Sequence, residues 1–245
     1  MRSQRSGLER EGLRPRGANG LVIVEAGETN KVWYLKQNRL FEDVPEGDVE
    51  QNEGLFTMKT FARKAMIFDE SDPSRTVYMV KRGAVRLARL TEDGKEVTVA
   101  VLGRGDLFGE ESIFSERPRT TFAIALDDAL LCMARADDMF ALLESQPKVA
   151  LNVARVMSER LVELQSTVED LAYARLSERL VNLFNRLALE HGRPVEGGVE
   201  ITIRLTHADL ASLVGSTRET VSLELARLIR AGRLRQRGHT MIVPA

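Results

Sequence analysis

From about Phe56 to Ala134 the apolar residues alternate with polar ones or gather in short runs cut by Gly, Asp and Pro. Val77–Val80, Ala84–Leu90, Glu96–Leu102, Thr121–Leu126 and Ala129–Ala134 are the clearest runs. Lys81–Gly83, Thr91–Gly94 and Gly103–Asp106 between them have the composition of turns. Such runs predict short strands, and their spacing predicts an antiparallel jelly roll or small barrel. A three-turn helix is expected before it, at about Lys31–Leu40.

The period then changes. From Gln146 to Ala174 the chain predicts one long helix in which Ala150, Ala154, Met157, Leu161, Leu164, Val168 and Leu171 recur at spacings of 4-3-4-3-4-3. A heptad seam bordered by Glu159, Arg160, Glu163 and Glu169 favours burial against a second copy of the same helix. Met157, Leu161, Leu164, Val168 and Leu171 are the dimerisation candidates. Packing of the helix on its own domain is the other solution the pattern allows.

Beyond the seam, Leu176–His191 predicts a second helix, Gly192–Gly198 a loop and Val199–Leu205 a short strand. His207–Leu228 has the pattern of a helix-turn-helix. Ala211, Gly215 and Val221 fall at offsets 0, +4 and +10, suited to a close helix crossing, a left-handed turn and the filled angle between helices. Leu210, Leu213, Val214, Val221, Leu225 and Leu228 make the buried side. Thr217, Arg218, Glu219 and Ser222 are left on the outer face, where a recognition helix meets base edges and phosphates. Gly232–Val243 predicts a hairpin wing, with Arg235, Arg237 and His239 suited to phosphates; a solvated charge cluster is the alternative.

Composition narrows the function. At 245 residues, 43% hydrophobic and 29% charged, the chain is expected to form two soluble domains. Its net charge of −1 conceals an asymmetry: from Arg204 onward, seven arginines and no lysine face three acidic residues. A basic terminal module is the electrostatic footprint of a nucleic-acid reader. Cys132 is the only cysteine, which excludes an intramolecular disulfide and a cysteine-held zinc or iron–sulfur site. No apolar run is long enough to span a bilayer. Residues 1–30, rich in Arg, Glu and Gly, lack the apolar core of a secretory signal. They are expected to be a disordered basic arm or a consequence of start-codon choice, and the protein is expected to be cytoplasmic.

Gly105–Thr121 departs from strand texture. Gly109 and Glu110 are expected to open a helical turn whose free amides suit an anion, and the acidic side chain suits a sugar hydroxyl. Arg119 offers a fork to a phosphate, with Thr120 and Thr121 as hydroxyl donors. A capped surface helix with an Arg–Glu pair is the bland alternative.

In this order the parts resemble the cyclic-AMP receptor protein/fumarate-nitrate regulator family of bacterial transcription factors, from about Lys31 to the C-terminus. Gly103-Arg-Gly-Asp-Leu-Phe-Gly-Glu110 with Pro118-Arg-Thr-Thr121 is similar to that family's phosphate-binding cassette, and Gly215-Ser-Thr-Arg-Glu-Thr-Val-Ser222 to its recognition-helix signature. The resemblance implies an α+β architecture: residues 31–145 as a cyclic-nucleotide-binding jelly roll, 146–174 as a dimerisation helix, and 175–245 as a winged helix-turn-helix. It implies a homodimeric regulator, an activator controlled by cyclic AMP, that binds a pseudo-palindromic operator in double-stranded DNA and contacts RNA polymerase. Carried over residue by residue, Gly109, Glu110, Glu111 and Ser112 would hold the ribose and phosphate edge. Arg119, Thr120 and Thr121 would clamp the phosphate, and Arg160 would close the pocket. Ser216, Thr217, Arg218, Glu219 and Ser222 would meet DNA, Arg218 reading guanine and Glu219 accepting from cytosine, with Arg237 and His239 on the wing.

The chain departs from the family pattern in two places. Leu164 and Gln165 stand where cyclic-AMP-responsive members place a Thr and a small polar residue against the adenine. Leucine cannot donate, whereas Gln165 can reach an adenine amide edge. Leu223 replaces a base-reading Arg, which predicts a shifted consensus relative to a TGTGA-type half-site. An effector-independent regulator controlled by its abundance, and a nucleotide-binding interaction subunit, are the competing readings. An enzyme is not expected, for no nucleophile–base pair, metal cluster or dinucleotide loop is present. A haem sensor is not expected either, since all three His lie beyond position 190.

Overall fold

The computed structural model describes residues 31–73, 75–115, 117–238 and 240–245. The expected arm at residues 1–30 and His239 lie outside the described residues.

Helix α1 (Lys31–Lys36) is followed by a 3₁₀ turn at Arg39–Phe41, α2 (Glu46–Asn52) and a second 3₁₀ turn at Glu53–Leu55. The helix expected over Lys31–Leu40 is therefore shorter. The buried Asn38 interrupts it, its side-chain oxygen accepting from the Leu40 amide at 3.0 Å and restarting the chain as a 3₁₀ turn.

Eight strands follow: β1 (Phe56–Phe61), β2 (Met66–Phe68), β3 (Thr76–Arg82), β4 (Val85–Leu90), β5 (Glu96–Leu102), β6 (Leu107–Phe108), β7 (Phe122–Ala125) and β8 (Ala129–Arg135). They form two four-stranded antiparallel sheets, ordered β1-β8-β3-β6 and β2-β7-β4-β5. All five predicted runs are strands. Leu107–Phe108, inside the stretch that lacks strand texture, is also a strand, pairing with Tyr78 and Met79, and β1 and β2 complete the eight. Alternation explains the two sides of β3. Tyr78 and Val80 face the inter-sheet core with Phe68, Phe108 and Leu131. Val77 and Met79 face a second core made with Tyr34, Leu40, Phe56, Met139 and Val153 of the flanking helices.

Between β6 and β7 lies α3 (Glu111–Phe114), and β8 runs into α4 (Ala136–Ser145), a helix the hydrophobic pattern did not announce. The long helix α5 (Pro147–Tyr173) changes partners midway. Val149, Asn152, Val153 and Val156 bury its first half on the jelly roll, and Met157 packs at the edge of that core. Leu161, Leu164, Val168 and Leu171 of the seam, with Val162, stand exposed on the second half.

Helix α6 (Leu176–His191) folds back after a two-residue break at Ala174 and Arg175. Asp170 of α5 accepts from Asn182 and Arg186 of α6 at 2.8 and 3.1 Å, pinning the hinge. The expected loop at Gly192–Gly198 is instead half strand: β9 (Gly192–Val195) pairs with β10 (Gly198–Ile201), so the glycines serve a tight hairpin. The predicted strand over Val199–Leu205 thus stops at Ile201. Then come α7 (His207–Leu213), α8 (Arg218–Arg230), β11 (Arg235–Arg237) and β12 (Thr240–Pro244). The last two add to the hairpin as a sheet ordered β11-β12-β10-β9. Leu180, Phe184, Leu210, Val221, Leu225 and Leu228 form this domain's core.

The two domains touch. The Thr98 amide and hydroxyl approach the Ser212 hydroxyl of α7 at 2.7 and 2.8 Å, and Ser212 donates to the Glu96 carbonyl at 3.0 Å. Beside them Arg86 of β4 lies 2.7 Å from Glu96 and 3.8 Å from Asp209. The β4–β5 hairpin therefore holds the first helix of the DNA-reading motif.

Candidate effector pocket and DNA-reading surface

A cavity of about 560 Å³ opens between β4 and β5, the turn around α3, and helices α5 and α6. Glu110, Glu111, Thr120 and Thr121 line it from the jelly roll, and Arg160 and Leu164 from α5. Six of the ten predicted ligand residues are thus brought together around one space.

The other four are placed differently. Gly109, at φ +73°, sits so close to its surroundings that an added Cβ would lie 2.9 Å from an Arg119 nitrogen and 3.0 Å from the Thr76 carbonyl. It shapes the turn that carries Glu110. Ser112 is buried and donates to the Gly109 carbonyl at 2.6 Å, so its hydroxyl is used within the turn. Gln165 is exposed and does not border this chain's own cavity.

Arg119 is the most informative placement. Its side chain is only 1% exposed. One Nη donates to Glu111 at 2.8 Å, the other to the Thr76 carbonyl at 2.6 Å, and the guanidinium carbon stands 3.9 Å from the Phe68 ring centre. The predicted phosphate fork is thus built in beneath the rim, with Glu111 in contact with it. An anion entering beside Thr120 and Thr121 would meet that carboxylate first.

Arg160 ties the pocket to the long helix. It donates to the Leu107 carbonyl at 2.8 Å and approaches Glu110 at 3.5 Å. Burial raises the Glu110 carboxyl above the usual range, and the Arg160 charge opposes that shift. Where the family pattern has a hydroxyl, Leu164 presents hydrocarbon. Thr167, one turn further along α5, stands on the cavity wall with its hydroxyl donating to the Glu163 carbonyl at 3.0 Å.

Sequence reading missed the contribution of α6. Leu183, Arg186, Leu187, Glu190 and His191 close the cavity from the DNA-binding domain, and Leu213 of α7 adds to them. Their i, i+3, i+4 spacing marks one helical face, but nothing local says that it faces a pocket. Glu190 is crowded: burial, then the Glu163 and Asp106 charges, push its carboxyl up to about 7.

The DNA-reading motif has the predicted geometry. Asp209 accepts from the Thr206 amide at 2.8 Å, and the Thr206 hydroxyl accepts from the Asp209 amide, a capping box that starts α7. Gly215 takes the left-handed turn at φ +61°. Thr217 caps α8, accepting from the Thr220 amide at 3.2 Å. Val221 is wholly buried between the helices. Thr217, Arg218, Glu219 and Leu223 are exposed, and Arg237 is exposed on the wing. Ser216 is half-buried in the turn, its amide donating to the Ala211 carbonyl at 3.0 Å. The Ser222 hydroxyl is engaged within the motif, donating to the Arg218 carbonyl at 2.8 Å and lying 2.7 Å from His207 Nδ1. Arg235 is tied to the Gly197 carbonyl, which leaves Arg237 as the open cation of the strand β11.

Among the described residues, no helix is long and apolar enough to cross a membrane, and no group of three or more His, Cys, Asp or Glu could hold a metal ion.

Comparison with known proteins agrees with both halves. Residues 58–146 match the cyclic nucleotide-binding domain family and residues 174–244 the Crp-like helix-turn-helix domain family. The chain is 31% identical to the cyclic AMP receptor protein of Thermus thermophilus, over 82% of this chain and 90% of that one. It is 32% identical to the global nitrogen regulator of a Nostoc species, over 70% of this chain and 78% of that one. Among solved structures, a CRP/FNR-family transcriptional regulator from Thermus thermophilus superposes with a TM-score of 0.63 at 28% identity, over 77% of this chain and 94% of that one. The chain belongs to the CRP/FNR family of transcription regulators, with a cyclic nucleotide-binding domain followed by a DNA-binding helix-turn-helix domain.

Proposed function

We propose that the protein is a homodimeric, cytoplasmic transcription activator whose effector pocket takes a cyclic nucleotide, cyclic AMP in the first instance. Arg119 carries this reading: a guanidinium fixed under the rim of a cavity beside two threonine hydroxyls suits a single anionic phosphate. Glu110 suits the ribose hydroxyl. The exposed Leu161, Leu164, Val168 and Leu171 are the seam between two copies. Pairing there sets two α8 helices about a two-fold axis, as a pseudo-palindromic operator requires. Ser216, Thr217, Arg218, Glu219 and Leu223 then face DNA, with Arg237 on the phosphates, and the regulator contacts RNA polymerase at its promoters.

Calorimetric titration of nucleotide-stripped protein tests this, with cyclic AMP and cyclic GMP in parallel. The expected result is one site per subunit, lost in Arg119→Ala. No heat and no thermal stabilisation with either nucleotide would overturn it. That outcome favours a second reading, supported by the Arg119–Glu111 pair and by Leu164: a regulator in which the cassette serves structure and activity follows abundance.

A further inference from the structure

Charge on the wall of the effector pocket is unevenly matched. Five carboxylates line it: Asp106 after β5, Glu110 and Glu111 at the start of α3, Glu163 on α5 and Glu190 on α6. Arg160 matches Glu110 at 3.5 Å, and Arg119, beneath the rim, matches Glu111 at 2.8 Å. Arg39 and Arg186 also reach the wall, but each is engaged by an acid outside it, Arg39 by Glu159 and Arg186 by Asp170 at 3.1 Å. Among the described residues that leaves Arg104 on the wall against Asp106, Glu163 and Glu190.

These three carboxylates come from distant parts of the chain and meet because α6 folds back on α5 and the jelly roll. Asp106 is held by the Gly103 amide, from which it accepts at 2.7 Å. Glu163 and Glu190 have no Lys or Arg within ion-pair distance among the described residues. The His191 Nε2 stands 3.4 Å from Glu190 without a hydrogen bond, and burial lowers the His191 pKa, so the ring is neutral. Burial, then the Glu163 and Asp106 charges, raise Glu190, and Arg186 and Arg160 oppose them. Burial raises Glu163 as well. Lys81, Arg82 and Asp127 of the jelly roll border Glu190 through an adjoining cleft.

An anion entering this pocket brings one more negative charge to the three. It also displaces water from Glu190, whose side chain is 40% exposed. Both effects favour a neutral carboxyl. We infer that the effector binds together with a proton, which Glu190 takes from solvent, so that occupancy of the pocket is coupled to pH. The inference rests on the reading of this cavity as the site of an anionic nucleotide. Its sign follows from linkage. The loaded pocket holds the proton more tightly than the empty one, so the ligand binds more tightly as pH falls, levelling off once Glu190 is protonated in both states.

Calorimetric titration of the full-length protein with cyclic AMP, and with cyclic GMP, in phosphate and in Tris buffer at about pH 7.5 reads the proton directly, because the two buffers give up a proton with different heats. The expected result is uptake of about half a proton per bound ligand. The Kd should be roughly five- to tenfold weaker at about pH 8.5 than at about pH 6.5. Glu190→Gln, which mimics the protonated carboxyl, should still bind, with the same enthalpy in both buffers and a Kd nearly independent of pH. Glu163→Gln removes the neighbouring charge and should lower the uptake. Measurable binding with equal enthalpies in the two buffers would overturn the proposal and leave the reading of the pocket standing. Uptake that persists undiminished in Glu190→Gln would place the proton elsewhere and overturn it as well. No binding of either cyclic nucleotide at any of these pH values would overturn the reading of the pocket, and the proposal with it.

Discussion

Glu111→Gln separates the role of Arg119 as a structural cation from its role as a phosphate site. The Arg119 guanidinium is 1% exposed and its only carboxylate within ion-pair distance, among the described residues, is Glu111 at 2.8 Å. A hydrogen bond to a charged group contributes about 1.5–3 kcal/mol. The Glu111 side chain is 42% exposed, however, so solvent screening reduces that to about 1 kcal/mol. A ligand phosphate must displace this carboxylate to reach the guanidinium. Glutamine keeps the shape and removes the charge, so cyclic AMP should bind roughly fivefold more tightly, the equivalent of about 1 kcal/mol. The same change leaves a buried cation less compensated, and the Tm of the ligand-free protein should fall by about 2–4 °C. Saturating nucleotide should restore it by mass action. Calorimetry and thermal denaturation on the same preparations read both effects. Equal or weaker binding by Glu111→Gln would refute the idea that Glu111 occupies the phosphate's place.

Charge in the exposed seam should undo the dimer. Each Leu or Val buried there contributes about 1.5–3 kcal/mol, so Leu161→Glu should shift sedimentation equilibrium to monomer, and an unchanged mass would exclude the seam. Arg218→Ala should cost roughly 1–3 kcal/mol at one base pair; equal losses on cognate and scrambled DNA would remove Arg218 from base reading. The last prediction concerns pH. Glu190 is raised from 4.5 to about 7 by burial and then by Glu163 and Asp106, so the folded chain holds a proton that the unfolded chain releases. Stability therefore declines as pH rises from the unfolded value through about 7. Across that range the Tm of the wild type should fall with pH more steeply than that of Glu190→Gln, which has no such proton to lose; parallel pH profiles for the two proteins would rule Glu190 out.

Much of the fold was legible because it rests on local periodicity. The period of two from Val77 to Ala134 and the change to a heptad at Ala150 mark the boundary between jelly roll and long helix. Gly215 and Val221, between two apolar stripes, mark the turn and the angle of the DNA-reading motif. The misses are also physical. Lys31–Leu40 carries a helical pattern, but the Asn38 side chain competes for the Leu40 amide and breaks it. Gly192–Gly198 has loop composition, yet β10, itself held by β12, supplies the partner that turns its first half into a strand. Helix α4 is ten residues long, too short to stand out from its surroundings.

The order of domains, the motif that meets DNA and the residue types of the cassette can be read along the chain, since each depends on neighbours within about a dozen positions. Which of those groups face one space follows from the packing of distant elements. Arg119 and Glu111, eight positions apart, meet only because the turn at Gly109 folds one over the other. Glu190 and His191 reach the effector cavity because α6 packs back on the jelly roll. The β4–β5 hairpin holds α7 through Thr98 and Ser212, 114 positions apart. Such contacts depend on how the domains dock, and side-chain charge and burial follow from docking and not from local pattern.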